Sequence, residues 1–348
     1  MQEDDAWSHD RTDTDEVATA DTLDAALLAL DHKSAPVFAV LDGAQFDNLP
    51  QALLLGGFIS RPLYLDRGDN NPEQITTAPH MVWLDEGRER ATGRPPAKTI
   101  PALLALIGDR PAAVFWQCPA GADVLYKHLR GINMVLYPRE SLPDAAEPQE
   151  SSGSAAQAVP DTHELVLFRH ADANVIAQTL YALDKPQLAR LFGPATAILA
   201  SPEREWAWST GPLFAARPED LQPAYTGPLR LSTAETGRIS QAADRASRHR
   251  ITSYLRAAAP QYTDRLTDRQ LHEQTDTAIH QGQQIGLSTE KGLGLFAMLS
   301  LLTGGELVHN RDLRAAIASD PRSPDQAIAS IFEDISNMSR SEIKAFTS

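Results

Sequence analysis

From Val37 to Ala200, short apolar runs of strand length alternate with helix-length segments, and beyond residue 230 the strand-like runs stop. Strands this short bury their faces only in a sheet covered by helices, so the alternation confines this part of the chain to an α/β or α+β lobe. The strand-like runs are 37–41, 62–65, 80–84, 112–117 and 165–168, with 195–200 and 205–208 expected as one more pair. Helices are expected over 45–56, ended by Gly56 and Gly57, over 100–107 after Pro101, and over 122–129. Asp172 is a candidate cap for a helix over 173–182. Asp184, three residues before Gln187, has capping-box spacing for the next helix, which Phe192-Gly193-Pro194 stops.

Beyond residue 230 every signal is helical. Ser232 with Glu235, Thr267 with Gln270, and Ser323 with Gln326 have capping-box spacing, the last with Pro324 at the first helical position. Ser288 and Asn310 are two further candidate caps. The expected fold class is an α/β (α+β) N-terminal lobe with a mixed sheet, plus an all-α C-terminal helical lobe. The boundaries follow composition. Residues 1–27 read as a disordered acidic tail and 28–228 as the α/β domain, with a flexible Ala-, Pro- and Ser-rich insertion at about 143–162. Residues 229–340 read as the helical domain and 341–348 as a tail.

The net charge of −15 is unevenly placed: the first 25 residues carry nine acids against one base, Arg11, about half the excess. An acidic chain is a poor general ligand for nucleic acid. The N-terminus is acidic where a secretory signal is basic and then apolar. The longest apolar stretch, 293–302, is far short of the roughly 20 residues that span a bilayer. A soluble, cytoplasmic protein with no membrane insertion is expected. A single cysteine, Cys118, excludes an intrachain disulfide and reads as a buried, inert thiol.

Several separated motifs resemble the type VI secretion effector-adaptor family. They are Val37-Phe38-Ala39-Val40-Leu41-Asp42-Gly43-Ala44, Ala78-Pro79-His80-Met81-Val82-Trp83-Leu84, and the run from Val114 to the helix ending Lys127-His128-Leu129-Arg130. The most specific is Leu167-Phe168-Arg169-His170-Ala171-Asp172, followed about twenty residues later by Phe192-Gly193-Pro194. Ala173 and Asn174 stand where the family usually has Pro and Arg. Leu229-Arg230-Leu231-Ser232 opens a helical extension like that of many members. The resemblance covers about residues 35–335. It implies a non-enzymatic bacterial adaptor or chaperone without a cofactor. Its implied partners are a cognate effector, often through the effector's N-terminal region, and the C-terminal part of the valine-glycine-repeat spike protein.

The family-motif residues Asp42, Phe168, Arg169, Asp172, Phe192, Gly193 and Pro194 also have a structural explanation. Asp172 caps a helix, Arg169 ties a strand end to a carboxylate such as Asp42, and Phe192-Gly193-Pro194 stops a helix on a core aromatic. The sharper candidate for partner binding is Arg238, Arg245, His249 and Arg256. These residues align within about 20° on a helix at about 100° per residue. Such a stripe reads first as a solvated face and, as the functional alternative, as a receptor for an acidic segment; a nucleic-acid contact is the weaker third reading, and no nucleic-acid partner is expected.

One enzymatic alternative is a metal-dependent hydrolase using His272, Glu273 and His280, although Asp276 stands where a zinc-protease helix needs its second histidine. Gly292-Leu293-Gly294 lacks the third glycine of a dinucleotide site, and no P-loop, nucleophile elbow or Cys-x-x-Cys occurs. No catalytic residue and no metal ligand set is therefore expected.

Overall fold

The computed structural model describes residues 20–64, 72–142, 160–207, 211–305, 317 and 320–336. Contacts divide the chain into two compact units, Met1–Ala242 and Ala243–Ser348. The first unit opens with α1 (Leu23–Ala29), β1 (Val37–Leu41), α2 (Leu49–Leu55), β2 (Ser60–Pro62), α3 (Pro72–Thr77) and β3 (His80–Trp83). Then come α4 (Pro96–Ile107), β4 (Ala113–Gln117), α5 (Ala122–Gly131), β5 (Met134–Pro138) and β6 (His163–Leu167). It closes with α6 (Ala173–Leu180), α7 (Lys185–Phe192), β7 (Ala197–Ala200), β8 (Leu213–Ala216) and β9 (Leu229–Arg230). Helix α8 (Thr233–Ala258) starts in this unit. The second unit takes the rest of α8, then α9 (Pro260–Thr263), α10 (Asp268–Gln284), α11 (Glu290–Leu302) and α12 (Pro324–Ser336). The fold class is the one the sequence pattern predicts: sheets and helices first, helices alone afterwards.

Six strands form the large sheet in the order β2-β3-β1-β4-β7-β8, antiparallel at every pairing. The mixed sheet is the smaller one, β6-β5-β9, in which β5 runs antiparallel to β6 and parallel to β9. Central strands of the large sheet are covered on both faces, which is why β1 is apolar at every position and not at alternate ones. Phe38 and Val40 face one core with Trp116, Ile198 and residues of α5, α6 and α7. Val37, Ala39 and Leu41 face the other with residues of α1, α2 and α4. Cys118 is fully buried in the first of these cores, its Sγ 3.7 Å from the carbonyl of Pro194.

Several local expectations need correction. The expected acidic tail stops short of residue 27, because α1 starts at Leu23 and buries Ala26 and Leu27 completely; residues 1–19 lie outside the described residues, as do 143–159, Asn310 and 341–348. Glu205 and Trp206 sit in a turn closed by backbone bonds to Glu203, and the partner of β7 is β8, with Ala197 opposite Ala216. Trp208 lies outside the described residues. The helix expected over 45–56 splits at Asn48, whose side chain accepts from the amide of Gln51 and restarts the backbone as α2. Asp184 makes no capping bond; it pairs with Arg238, and its amide donates to Glu235. The cap of α11 is Thr289, not Ser288.

The unit boundary falls within α8, where composition places it at 228/229. Leu229 pairs with Val135 in the small sheet, and Thr236 bonds to Ser141, so β9 and the first turns of α8 belong to the first unit. In the second unit the Thr267–Gln270 capping box forms in full, and Ile251, Leu271, Phe296, Leu299 and Ile328 meet in its core. The carboxylate of Asp325 accepts from the amides and hydroxyls of both Ser288 and Thr289, tying the start of α12 to the start of α11. No helix among the described residues is long and apolar enough to cross a membrane.

Candidate functional site

Asp42 directly follows β1 and Arg169 follows β6, 127 positions later in the chain, yet the two side chains form an ion pair. Asp42 is held from below by the amide of Ala44 at 3.2 Å and Nε2 of Gln45 at 3.3 Å. Asp172 completes the cluster, 3.3 Å from the same Arg169 nitrogen. Its other oxygen accepts from the amides of Asn174 and Val175, so Asp172 is the N-cap of α6 as the sequence predicts. Burial pushes the Asp172 carboxyl up, against the pull of Arg169 and the two amides. Tyr64 lies within electrostatic reach of Asp42 and Arg169, and burial together with Asp42 raises its phenol. The two carboxylates are buried while the arginine is 43% exposed, which leaves the outer face of one guanidinium as the solvent-facing part of the cluster.

Phe192 and Gly193 lie in an adjoining, largely buried network. Phe192 is wholly buried, and Gly193 takes φ 52°, a left-handed conformation that favours glycine. A Cβ added there would meet the His128 ring at 2.2 Å. Pro194 follows the helix stop, and its carbonyl faces Cys118. His128 bonds through Nε2 to the carbonyl of Leu191 at 2.9 Å. Arg190 donates to the carbonyls of Gly227 and Gly131. His170 reaches Oδ1 of Asn133 at 2.7 Å, and Trp116 meets both histidine rings edge-on at 6.4 and 6.5 Å.

Burial lowers His128 to about 4 and His170 to about 3, so both are neutral at neutral pH. The buried Arg190 has no signal in the sequence, because an arginine in an amphipathic helix reads as a surface residue. In the structure it stands between Leu188, Ala189, Leu191 and Phe192, all of them buried.

The basic residues of α8 have separate local roles. In the first unit, Arg238 donates to the carbonyl of Ala182 and to Asp184, both at 2.8 Å. In the second, Arg256 donates to the carbonyls of Thr263 and Leu266 and pairs with Asp268. His249 stacks edge-on against His272, with ring centroids 6.1 Å apart. Arg245 is exposed and has an interaction of its own. Arg238 and Arg256 are thus engaged with this chain's own carboxylates and carbonyls.

His272, Glu273 and His280 are exposed on α10 and are not assembled as a ligand set. His272 bonds to the carbonyl of Asp268, Glu273 pairs with Arg269 at 2.8 Å, and His280 meets Gln284. Among the described residues no three His, Cys, Asp or Glu side chains come together as ligands for a metal.

The fold and the site define a two-unit protein, sheet-based and then helical, whose conspicuous charged cluster ties a strand end to a helix start. Compared with family models, curated proteins and solved structures, the chain matches none.

Proposed function

We propose that this chain is a non-enzymatic adaptor of the bacterial cytoplasm that binds a type VI secretion effector and delivers it to the C-terminal part of the valine-glycine-repeat spike protein. The reading is supported by one observation. The motif residues that carry the resemblance lie 150 positions apart in the chain, yet they fall into two adjoining parts of one unit: Arg169 between Asp42 and Asp172, and Phe192-Gly193 packed on His128. Asp42, Arg169 and Asp172 satisfy one another, and Arg190 and His128 bond to each other and to backbone carbonyls, as in a scaffold that presents a surface. Such an adaptor stabilises its bound effector by mass action and shields apolar effector surface until release.

Co-expression with the effector encoded beside this chain and with the spike's C-terminal part, followed by size-exclusion chromatography, tests the proposal. Co-elution of all three supports it; elution of this chain alone at micromolar concentration overturns it.

A further inference from the structure

The small sheet covers the core with one face only. Val135, Val166 and Leu229 point inward, whereas Met134, Leu136, Leu165, Leu167 and Arg230 share the opposite face by register. On that face Leu165 is 36% exposed and Leu167 52%, and Met134 and Leu136 are half-buried. Four apolar side chains side by side on a solvent-facing sheet are unusual on an otherwise charged surface.

The backbone adds a second, independent feature. The amide of Phe168 donates to Asn133, and the amide of Arg139 donates to Thr162. These two bonds set the phase of the ladder: even-numbered residues of β6 bond to β5, and Leu165 and Leu167 turn their N–H and C=O groups to the open edge. The same phase holds on the other side of β5, where Leu231 donates to the carbonyl of Leu136. Strand β6 is the terminal strand of its sheet, and the edge groups of Leu165 and Leu167 have no partner among the described residues. An open edge of this kind is a template for another strand.

Charge identifies what the edge takes. Arg230 is exposed on the apolar face beside Leu136, and its guanidinium has no partner among the described residues. Arg139 reaches around the end of the edge and donates to the carbonyl of His163 at 3.3 Å. The strand residues of this face include no carboxylate. Arg139 thus sets a cation at the end of the β6 edge in a protein whose net charge is −15, whereas Arg230 stands on β9, across β5 from that edge.

We infer that β6 receives an extended segment of the effector by strand addition, with apolar side chains of the segment on the face of Leu136, Leu165 and Leu167 and a carboxylate of the segment against Arg139. The inference rests on the adaptor reading for the identity of the donor.

Proline at 165 or 167 is a selective test, because the amide it removes points to the open edge and not into the β5 ladder. The experiment measures affinity of the purified full chain for the effector encoded beside it, with native protein, Leu165→Pro, Leu167→Pro and Arg139→Glu, each first checked for a native thermal midpoint. The expected result is at least tenfold weaker binding for a proline variant that keeps its midpoint, and weaker binding with reduced salt dependence for Arg139→Glu. In hydrogen exchange, the amides of Leu165 and Leu167 should exchange freely alone and become protected in the complex. A complex with unchanged affinity in the proline variants and no protection at these amides overturns strand addition and leaves the adaptor reading standing. No complex with the native chain overturns both. Should both proline variants lose their midpoint, the exchange measurement on the native complex decides alone.

Discussion

Arg190 donates from its guanidinium to Nδ1 of His128 at 3.1 Å, and a nitrogen that accepts from a permanent cation cannot itself hold a proton. His128 is therefore the neutral tautomer with its proton on Nε2, directed at the carbonyl of Leu191. His170 and His80 are buried too, but each has at least one ring nitrogen unpaired.

An acid-sensitive fold follows. Burial holds His80 and His128 at about 4 and His170 at about 3 in the native state, whereas each takes up a proton near 6.5 when unfolded. Between these limits the unfolded chain binds more protons, so stability falls as pH falls from 6.5 toward 4 and is unaffected by these groups above 6.5. The loss is on the order of 3 kcal/mol per histidine by pH 4. Urea unfolding followed by circular dichroism at pH 7.5, 5.5 and 4.5 reads it directly. His80→Leu removes two unpaired nitrogens and should flatten the dependence without lowering stability at pH 7.5. A flat profile for the native chain would contradict the assignment.

Arg169 should matter more for order than its exposure implies. Arg169→Ala leaves the buried Asp42 without its ion-pair partner, and the expected cost is about 1–3 kcal/mol. Asp172→Ala loses the cap of α6 as well as the pairing, at about 1–2 kcal/mol. Because all three groups share one cluster, the double variant should cost clearly less than the two singles combined, which a double-mutant cycle in urea measures. Strict additivity would mean that the three side chains are in contact without energetic coupling.

Two glycines separate backbone strain from crowding. Gly57 and Gly193 both have positive φ, but a Cβ at Gly57 enters open space, whereas one at Gly193 runs into His128. Gly57→Ala is expected to cost about 1 kcal/mol and Gly193→Ala more than about 3 kcal/mol. Thermal unfolding of the pair is the check; equal shifts would show that the His128 ring is free to move aside.

Much of this architecture was legible where local chemistry decides it. Thr267 with Gln270, Ser232 with Glu235 and Asp172 with α6 are caps that neighbouring residues fix, and each forms as its spacing predicts. Misreadings arose where a distant group intervenes. Asp184 has the spacing of a cap but is drawn to Arg238 from α8, and β5 escapes notice because Met134 and Leu136 stand on a face that is only half covered. The pairing of β7 with β8 skips the tryptophan-bearing turn at Trp206, which looks like a strand to any local pattern. At the candidate site, the bond between Arg169 and Asp42 could be named as one option, but the buried Arg190–His128 network is a product of packing among α5, α7 and β4 and has no periodic signature.

The single cysteine of this chain is sealed inside its core, and burial raises the thiol beyond its ordinary range. A maleimide dye added to the native protein therefore finds nothing to modify, and any cysteine introduced on the surface becomes a unique attachment point without prior removal of Cys118. A fluorophore placed beside β6 would report partner arrival in real time, while the slow appearance of label on Cys118 would serve as an internal clock of how often the core opens.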